Sequence, residues 1–400
     1  MGRGLVIGVV LVLAALGLAV GVVLRDTEDT GPANAGGMTV ASAMGGDGGT
    51  EGFARAMEPR PFHFPEDHGP HPDFRTEWWY WTGNLETQDG RAFGYQFTLF
   101  RSALSPEQPQ RESGWGTRQV FMGHFTLTDV SAGRFHVTER FSRAAQGLAG
   151  ADGAPFHVWL QDWDVRSEGT NGGTWPMHLR AQGDGVTLEL TLDEGKPPVL
   201  QGDKGLSQKG PERGNASYYY SMPRMPSRGT VSVDGQTVQV KGESWMDREW
   251  STSALSGDQV GWDWFALQLS DGSELMLYQL RKKDGSKDAF SAGTYVPATG
   301  EAVHLGADDM RLEPRGTWKS PRGGEYPAGW RVQVPKVSLE LTVTPKLPDQ
   351  ELPVLVRYWE GAVTVDGTRE GQPVQGRGYL EMTGYADAPR SDETVRSRTP

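Results

Sequence analysis

Apolar and polar residues alternate along several short stretches of the chain, which is the pattern of half-buried β-strands. The clearest are residues 186–192 and 337–343, where Val or Leu occupies every second position. Asp-Gly pairs, which favour hairpin turns, occur at 89–90, 234–235, 271–272, 284–285 and 366–367. The pattern therefore predicts an all-β protein made of antiparallel barrels or sandwiches.

A different pattern opens the chain, where Leu5–Leu24 forms an uninterrupted apolar stretch of 20 residues. As a helix it would be about 30 Å long, enough to cross the hydrocarbon core of a membrane. Arg3 precedes it and acidic residues follow it, so the remainder is expected to be exported. We predict a transmembrane signal anchor at 1–25. The alternative is a cleavable signal peptide, with small-residue cleavage sites at 33–35 or 41–43.

The first and last hairpins of one half of the folded part are matched, in the same order, by the first and last hairpins of the other half. Trp79-Tyr-Trp81 corresponds to Trp262-Asp-Trp264, each followed by an Asp-Gly turn. In each closing hairpin, an aromatic residue stands three positions after a glycine. A carboxylate, Asp247 or Glu381, stands five positions after the same glycine. Such a repeat predicts two related barrels in tandem. The predicted divisions after the anchor are a flexible linker at 26–60, a first barrel at 61–252, a second barrel at 253–388 and a disordered tail at 389–400.

Composition and motifs exclude several classes of protein. The net charge of −12 argues against nucleic acid as a partner, and the absence of Cys removes disulfides, thiol nucleophiles and Cys-ligated metals. His63, His68 and His71 cluster in a Pro-rich segment that fixes no ligand geometry, so no metal site is predicted. No Gly-x-Ser-x-Gly elbow or phosphate-binding loop occurs, and no cofactor is expected.

The hairpins also carry a family resemblance. Residues 71–85, which include Glu77-Trp-Trp-Tyr-Trp81, resemble the opening signature of the lipocalin-like carotenoid 1,2-hydratase/AttH family. Residues 94–101, 242–250 and 376–385 continue the resemblance, which covers about 62–388. It implies two lipocalin-like barrels, an architecture similar to that of fungal pericyclases. It also implies a bacterial cell-envelope protein, with an ABC-type permease as a partner. Its barrels would be held outside the cytoplasm by Leu5–Leu24 or secreted after cleavage.

The candidate catalytic residues lie within residues 245–250. In a strand, Asp247 and Glu249 share one face, and Arg248 and Trp250 share the other. Burial in an apolar cavity would raise the pKa of either carboxyl and make it a general acid, whereas pairing with Arg248 would make it structural. The cavity is expected in the first barrel, with one pocket shared by the two barrels as the alternative. Its predicted lining is Trp79, Trp81, His124, Tyr218 and Trp250, with Tyr278 added by the resemblance. The alternative is structural: the tryptophans would fill the barrel core, and His124 would be a hydrogen-bonded core residue.

A polar network is predicted for Glu77, Arg248 and Arg101. It would either hold the barrel together as buried ion pairs or form part of the cavity wall. In the resembled hydratases a catalytic His occupies the position of Arg248, and an Asp occupies that of Leu280. An arginine cannot shuttle protons near neutral pH, so carotenoid hydration itself is not expected.

Three functions follow as hypotheses. The first is an envelope protein that binds a hydrophobic small molecule or lipid. The second is an enzyme that acts on an isoprenoid-like or polyketide-like substrate by acid catalysis or templating. The third is a structural or glycan-binding β-protein. A carboxyl whose pKa is strongly raised inside a cavity would favour the enzyme.

Overall fold

The computed structural model describes residues 49–107, 113–170, 173–252 and 255–386, all within one unit, Met38–Pro400. These residues contain 25 β-strands, a few short 3₁₀ turns and no α-helix, which confirms the all-β prediction. The predicted anchor Leu5–Leu24 lies outside the described residues. Within the described ranges, no helix has the length and apolar character needed to span a membrane.

The described part of the chain forms two large, barrel-like antiparallel sheets and one two-stranded ribbon. The first sheet contains β1 (Thr76–Glu86), β2 (Ala92–Ala103), β3 (Gln119–Asp129), β4 (Arg134–Arg143), β5 (Ala149–Gly153), β6 (Phe156–Leu160), β7 (Trp163–Ser167), β8 (Met177–Gly183), β9 (Val186–Leu192), β10 (Val199–Leu200), β11 (Leu206–Gln208), β12 (Ala216–Val233) and β13 (Gln236–Ser251). Its main order is β4-β3-β2-β1-β13-β12-β9-β8-β7-β6-β5, and β10 and β11 both pair with β12.

The second sheet and the ribbon contain the remaining strands, which are β14 (Gln259–Leu269), β15 (Glu274–Lys282), β16 (Ala292–Val296), β17 (Val303–Gly306), β18 (Arg311–Pro314), β19 (Thr317–Lys319), β20 (Glu325–Pro327), β21 (Trp330–Val334), β22 (Leu339–Pro345), β23 (Glu351–Leu352), β24 (Tyr358–Arg369) and β25 (Gln372–Met382). The second sheet has the order β17-β16-β15-β14-β25-β24-β22-β21-β18, with β23 paired to β24. The ribbon is β19–β20. Short 3₁₀ helices occur at Glu66–His68, Ala307–Asp309 and Pro335–Val337.

The two sheets are built alike, because in each one the first long strand pairs with the last. β1 pairs with β13, which sets Tyr80 opposite Asp247. β14 pairs with β25, which sets Trp264 opposite Glu381. The carboxylates that match in the sequence repeat therefore occupy equivalent places in the two sheets.

The central strands are buried on both faces, so apolar residues run almost continuously along them. One face of β1 packs into the core of the first sheet through Trp79 and Trp81. The second sheet has its own core, which includes Trp330 and Trp359. A third apolar cluster lies between the sheets and contains Tyr80 of β1 together with residues of β14, β15, β24 and β25.

Close packing and ion pairs join the sheets beside this third cluster. A Cβ added at Gly94 would lie 2.5 Å from the Cβ of Ala362, so the strands approach too closely there for a larger residue. Elsewhere along the contact, Glu274 of the second sheet accepts hydrogen bonds from Arg224 at 2.5 Å and Lys196 at 2.6 Å. These contacts fix the space that remains between the two sheets.

Candidate functional site

A cavity of about 300 Å³ lies between the two sheets, not inside the first barrel as the sequence analysis expected. Strands β1, β2, β3, β12 and β13 form one wall, and β14, β15, β24 and β25 form the other. Phe141 and Leu355 are exposed where the cavity meets solvent. The walls are mostly aromatic and aliphatic, with charged groups concentrated at a few buried positions.

Asp247 is a carboxylate of the cavity wall that accepts three side-chain hydrogen bonds. Its oxygens accept from Tyr219 at 2.5 Å, Ser221 at 2.5 Å and the indole of Trp245 at 2.7 Å. Burial raises the pKa of Asp247 to about 7, although the three hydrogen bonds act in the opposite direction. The group is therefore poised to gain or lose a proton near neutral pH.

Glu360 and Glu381 face each other across the β24–β25 pair. Burial raises the pKa of both carboxyls, and for Glu360 the charge of Glu381 adds to the effect. Tyr80 donates a hydrogen bond to Glu360, and Tyr358 hydrogen-bonds the same carboxyl. Two like charges this close are unfavourable, so the Glu360–Glu381 pair retains a proton to higher pH than ordinary carboxyl groups do.

The second predicted acid, Glu249, also lines the cavity but forms an ion pair with Lys209 at 3.3 Å. The ammonium of Lys209 lies 4.1 Å from the ring centroid of Tyr278, which lines the cavity as well. The Tyr278 hydroxyl lies 3.0 Å from the Ser207 hydroxyl. Together these groups give the cavity one strongly polar patch.

His124 lines the cavity and is 1% exposed. Its Nδ1 lies 2.8 Å from the hydroxyl of Tyr358, and its Nε2 lies 3.2 Å from Glu139. The ring thus connects the two sheets through hydrogen bonds.

The remaining predicted aromatic residues do not line the cavity. Trp79, Trp81, Tyr218 and Trp250 project from the opposite faces of their strands into the core of the first sheet. The indole of Trp79 donates to the backbone oxygen of His68 at 2.8 Å. Since successive strand residues point to opposite faces, Tyr80 and Tyr219 reach the cavity while their neighbours pack inward.

Glu77, Arg101 and Arg248 meet in one buried cluster in which all three side chains are 0% exposed. Glu77 receives hydrogen bonds from both guanidinium groups and from the backbone nitrogen of His71 at 3.0 Å. The two guanidinium groups hold the pKa of Glu77 well below its usual range against the effect of burial. Glu77 and Arg101 also border the cavity, whereas Arg248 does not.

The N-terminal histidines take structural positions. His68 is buried, and its Nδ1 lies 2.6 Å from the hydroxyl of Tyr220. His71 stacks on Trp250 with ring centroids 3.7 Å apart and lies 3.0 Å from Asp67. Across the four described ranges, no group of three or more His, Asp or Glu side chains is arranged to hold a metal ion.

Sequence reasoning did not select Glu360, Lys209 or Tyr219 as site residues. Glu360 had a visible signal, because it is a lone carboxylate in the otherwise apolar run 358–363. Glu381 had a stronger signal, since the sequence repeat pairs it with Asp247. Lys209 lies in the segment between β11 and β12, and no local pattern indicates that it reaches the cavity.

The two barrel-like sheets with an apolar cavity between them define a class, the tandem lipocalin-like proteins. The chain belongs to the AttH-like family, whose model matches residues 55–385. The family resemblance seen in the sequence is thereby confirmed.

Two solved structures show the same architecture. An AttH protein from Nitrosomonas europaea is 37% identical, with a TM-score of 0.74, and the match covers 83% of this chain and 100% of that one. Kievitone hydratase from Nectria haematococca has a TM-score of 0.64 over 84% of this chain and 98% of its own, but at 18% identity this likeness shows the fold alone.

A sequence relative has a named activity. Kievitone hydratase from Fusarium solani subsp. phaseoli is 23% identical over 209 residues, which are 50% of this chain. The match spans only 58% of that relative's length.

Proposed function

We propose that the protein is a hydratase-type acid–base enzyme that adds water to a carbon–carbon double bond of an apolar small molecule, or removes it. The observation that carries the proposal is the pair Asp247 and Glu360 in one apolar cavity. Their environments set different proton affinities, and two such carboxyls supply a general base and a general acid.

In the hydration direction, Glu360 donates its proton to one alkene carbon, and the π electrons form the new C–H bond. Positive charge develops on the other carbon, facing the aromatic rings of Trp78, Trp262 and Trp264 in the cavity wall. Indole faces stabilise cations, so the apolar walls can support this charge without supplying a competing nucleophile.

Asp247 completes the addition as the base. A water molecule attacks the cationic carbon, and Asp247 takes the proton that the water releases as its C–O bond forms. Glu360 is left ionised and Asp247 protonated, and exchange with solvent restores both groups. Tyr219 and Trp245 hold the Asp247 carboxylate in place during the step.

Arg248 takes no part in this chemistry. The position that carries His in the resembled hydratases lies in the buried cluster with Glu77, on the strand face opposite Asp247. The proposal therefore assigns acid–base chemistry to residues of both sheets. The named activity of kievitone hydratase supports the reaction class, and the apolar cavity supports a hydrophobic substrate.

The test is incubation of the full chain in ¹⁸O-labelled water with kievitone, and separately with lipid and isoprenoid extracts of the host envelope. Mass spectrometry should detect a product that has gained one labelled water. Asp247→Asn and Glu360→Gln should each abolish this gain, whereas Glu243→Gln, a carboxylate paired with Arg224 away from the cavity, should retain it. An apolar ligand that is bound but recovered unchanged would identify a carrier and contradict the enzyme.

Export, attachment to the cytoplasmic membrane through Leu5–Leu24 and cooperation with an ABC-type permease stay predictions. They concern a segment outside the described residues and a partner whose chemistry the cavity does not specify.

A further inference from the structure

We propose that Glu139, His124 and Tyr358 form a proton relay that connects solvent to Glu360. The inference rests on the proposed function, because it supplies the proton that Glu360 gives to the substrate. The three groups are positioning residues, since they act on Glu360 and not on the reacting carbon atoms.

The outer end of the relay is Glu139 on β4. Its side chain is 20% exposed, so it can exchange protons with water. It faces His124 across the β3–β4 pair, and Oε1 lies 3.2 Å from His124 Nε2. The backbone nitrogen of Leu355 donates to the same oxygen at 3.2 Å, which fixes the carboxylate against the second sheet.

The inner end of the relay lies on β24. His124 Nδ1 is 2.8 Å from the hydroxyl of Tyr358, and Tyr358 hydrogen-bonds Glu360 two residues further along the same face of the strand. Tyr358 is 6% exposed and Glu360 is 1% exposed, so both are buried in the cavity wall. A row of hydrogen-bonding groups therefore runs from a solvent-accessible carboxylate to a buried one.

Every member can both donate and accept, as proton transfer along a row requires. When Glu360 is ionised, a proton taken up by Glu139 passes to His124 Nε2, the Nδ1 proton passes to Tyr358, and the Tyr358 proton passes to Glu360. Three protons each move across one hydrogen bond. The result is neutral Glu360, ionised Glu139 and His124 in its other neutral tautomer.

The experiment follows hydrogen–deuterium exchange of the protonated Glu360 carboxyl in the full chain by infrared spectroscopy after transfer to D₂O. The carboxyl C=O band of Glu360 is assigned by its loss in Glu360→Gln. His124→Phe and Glu139→Gln should slow the exchange about 100-fold, the lower end of what a positioned proton carrier contributes. His136→Phe is the matched control, because His136 lies on β4 and pairs with Asp184, away from the cavity.

Added imidazole should restore fast exchange in His124→Ala, which a purely structural role would not allow. Exchange at the wild-type rate in both His124→Phe and Glu139→Gln would overturn the relay and leave the proposed acid in place. Absence of a protonated Glu360 band at neutral pH would overturn the proposed function and the relay with it.

Discussion

Glu77→Gln tests whether the buried cluster of Glu77, Arg101 and Arg248 holds the first sheet together. The change preserves the shape of the side chain and removes its charge, which leaves two guanidinium groups buried without a counterion. Removing one partner of a buried ion pair costs about 3–5 kcal/mol. At roughly 2–4 °C per kcal/mol for a large domain, the melting temperature should fall by about 6–20 °C at pH 7.

The assay is thermal unfolding followed by circular dichroism, with Glu189→Gln as the matched control. Glu189 pairs with Arg180 at 3.3 Å, but both side chains are more than 40% exposed. Exposed pairs contribute about 0–1 kcal/mol, so this variant should melt close to the wild type.

The pH dependence of the Glu77→Gln effect has a defined sign. The pKa of Glu77 is lowered on folding, so its contribution is full above its ordinary value of 4.5 and is lost as the pH falls below it. The difference between wild type and variant should therefore shrink in acid. A melting temperature within about 2 °C of the wild type at pH 7 would refute the argument that this cluster is an essential buried ion network.

Three further predictions separate the roles of the two strand faces and of the contact between sheets. Trp79→Ala should lower the free energy of unfolding by about 3–5 kcal/mol in urea, whereas Trp78→Ala should lower it less and chiefly change ligand retention in native mass spectrometry. The pKa of Asp247 is raised on folding, so wild type should lose stability relative to Asp247→Asn as pH rises from about 4 to 7 in thermal melts. Gly94→Ala should lower the melting temperature, because its Cβ would meet the second sheet at 2.5 Å, whereas Gly257→Ala should not.

Each of these expectations has a contrary outcome. Equal stability losses for the two tryptophan variants would contradict the separation of core and cavity faces. A stability difference for Asp247→Asn that does not change with pH would mean that the buried carboxyl does not titrate in this range. An unchanged melting temperature for Gly94→Ala would show that the two sheets can move apart at little cost.

Sequence periodicity was sufficient to predict the class of fold and the residues that share each strand face. It placed Asp247 and Glu249 on one face of β13 and Arg248 and Trp250 on the other, and the structure has this arrangement. It could not decide which face lies inside the barrel, because both faces of the central strands are apolar and aromatic. That choice depends on how the second sheet covers the first.

The sequence repeat was likewise aligned one residue out of register. The sequence comparison matched Trp79 and Trp81 with Trp262 and Trp264, whereas the registers of Asp247 and Glu381 make Tyr80 the counterpart of Trp264. A slip of one residue transfers every side chain of a strand to the other face. Trp79 and Trp81 were assigned to a cavity inside the first barrel, and they do face the interior of that barrel, but this interior is a packed core.

The double burial of the central strands has a consequence for how such a protein can diversify. Along β1 and β13, every second residue maintains the barrel and the residues between them shape the ligand space. A substitution at one set leaves the other set in register. Selection can therefore alter the chemistry of the cavity residue by residue while the framework stays under separate constraint, and one architecture can serve many substrates without being rebuilt.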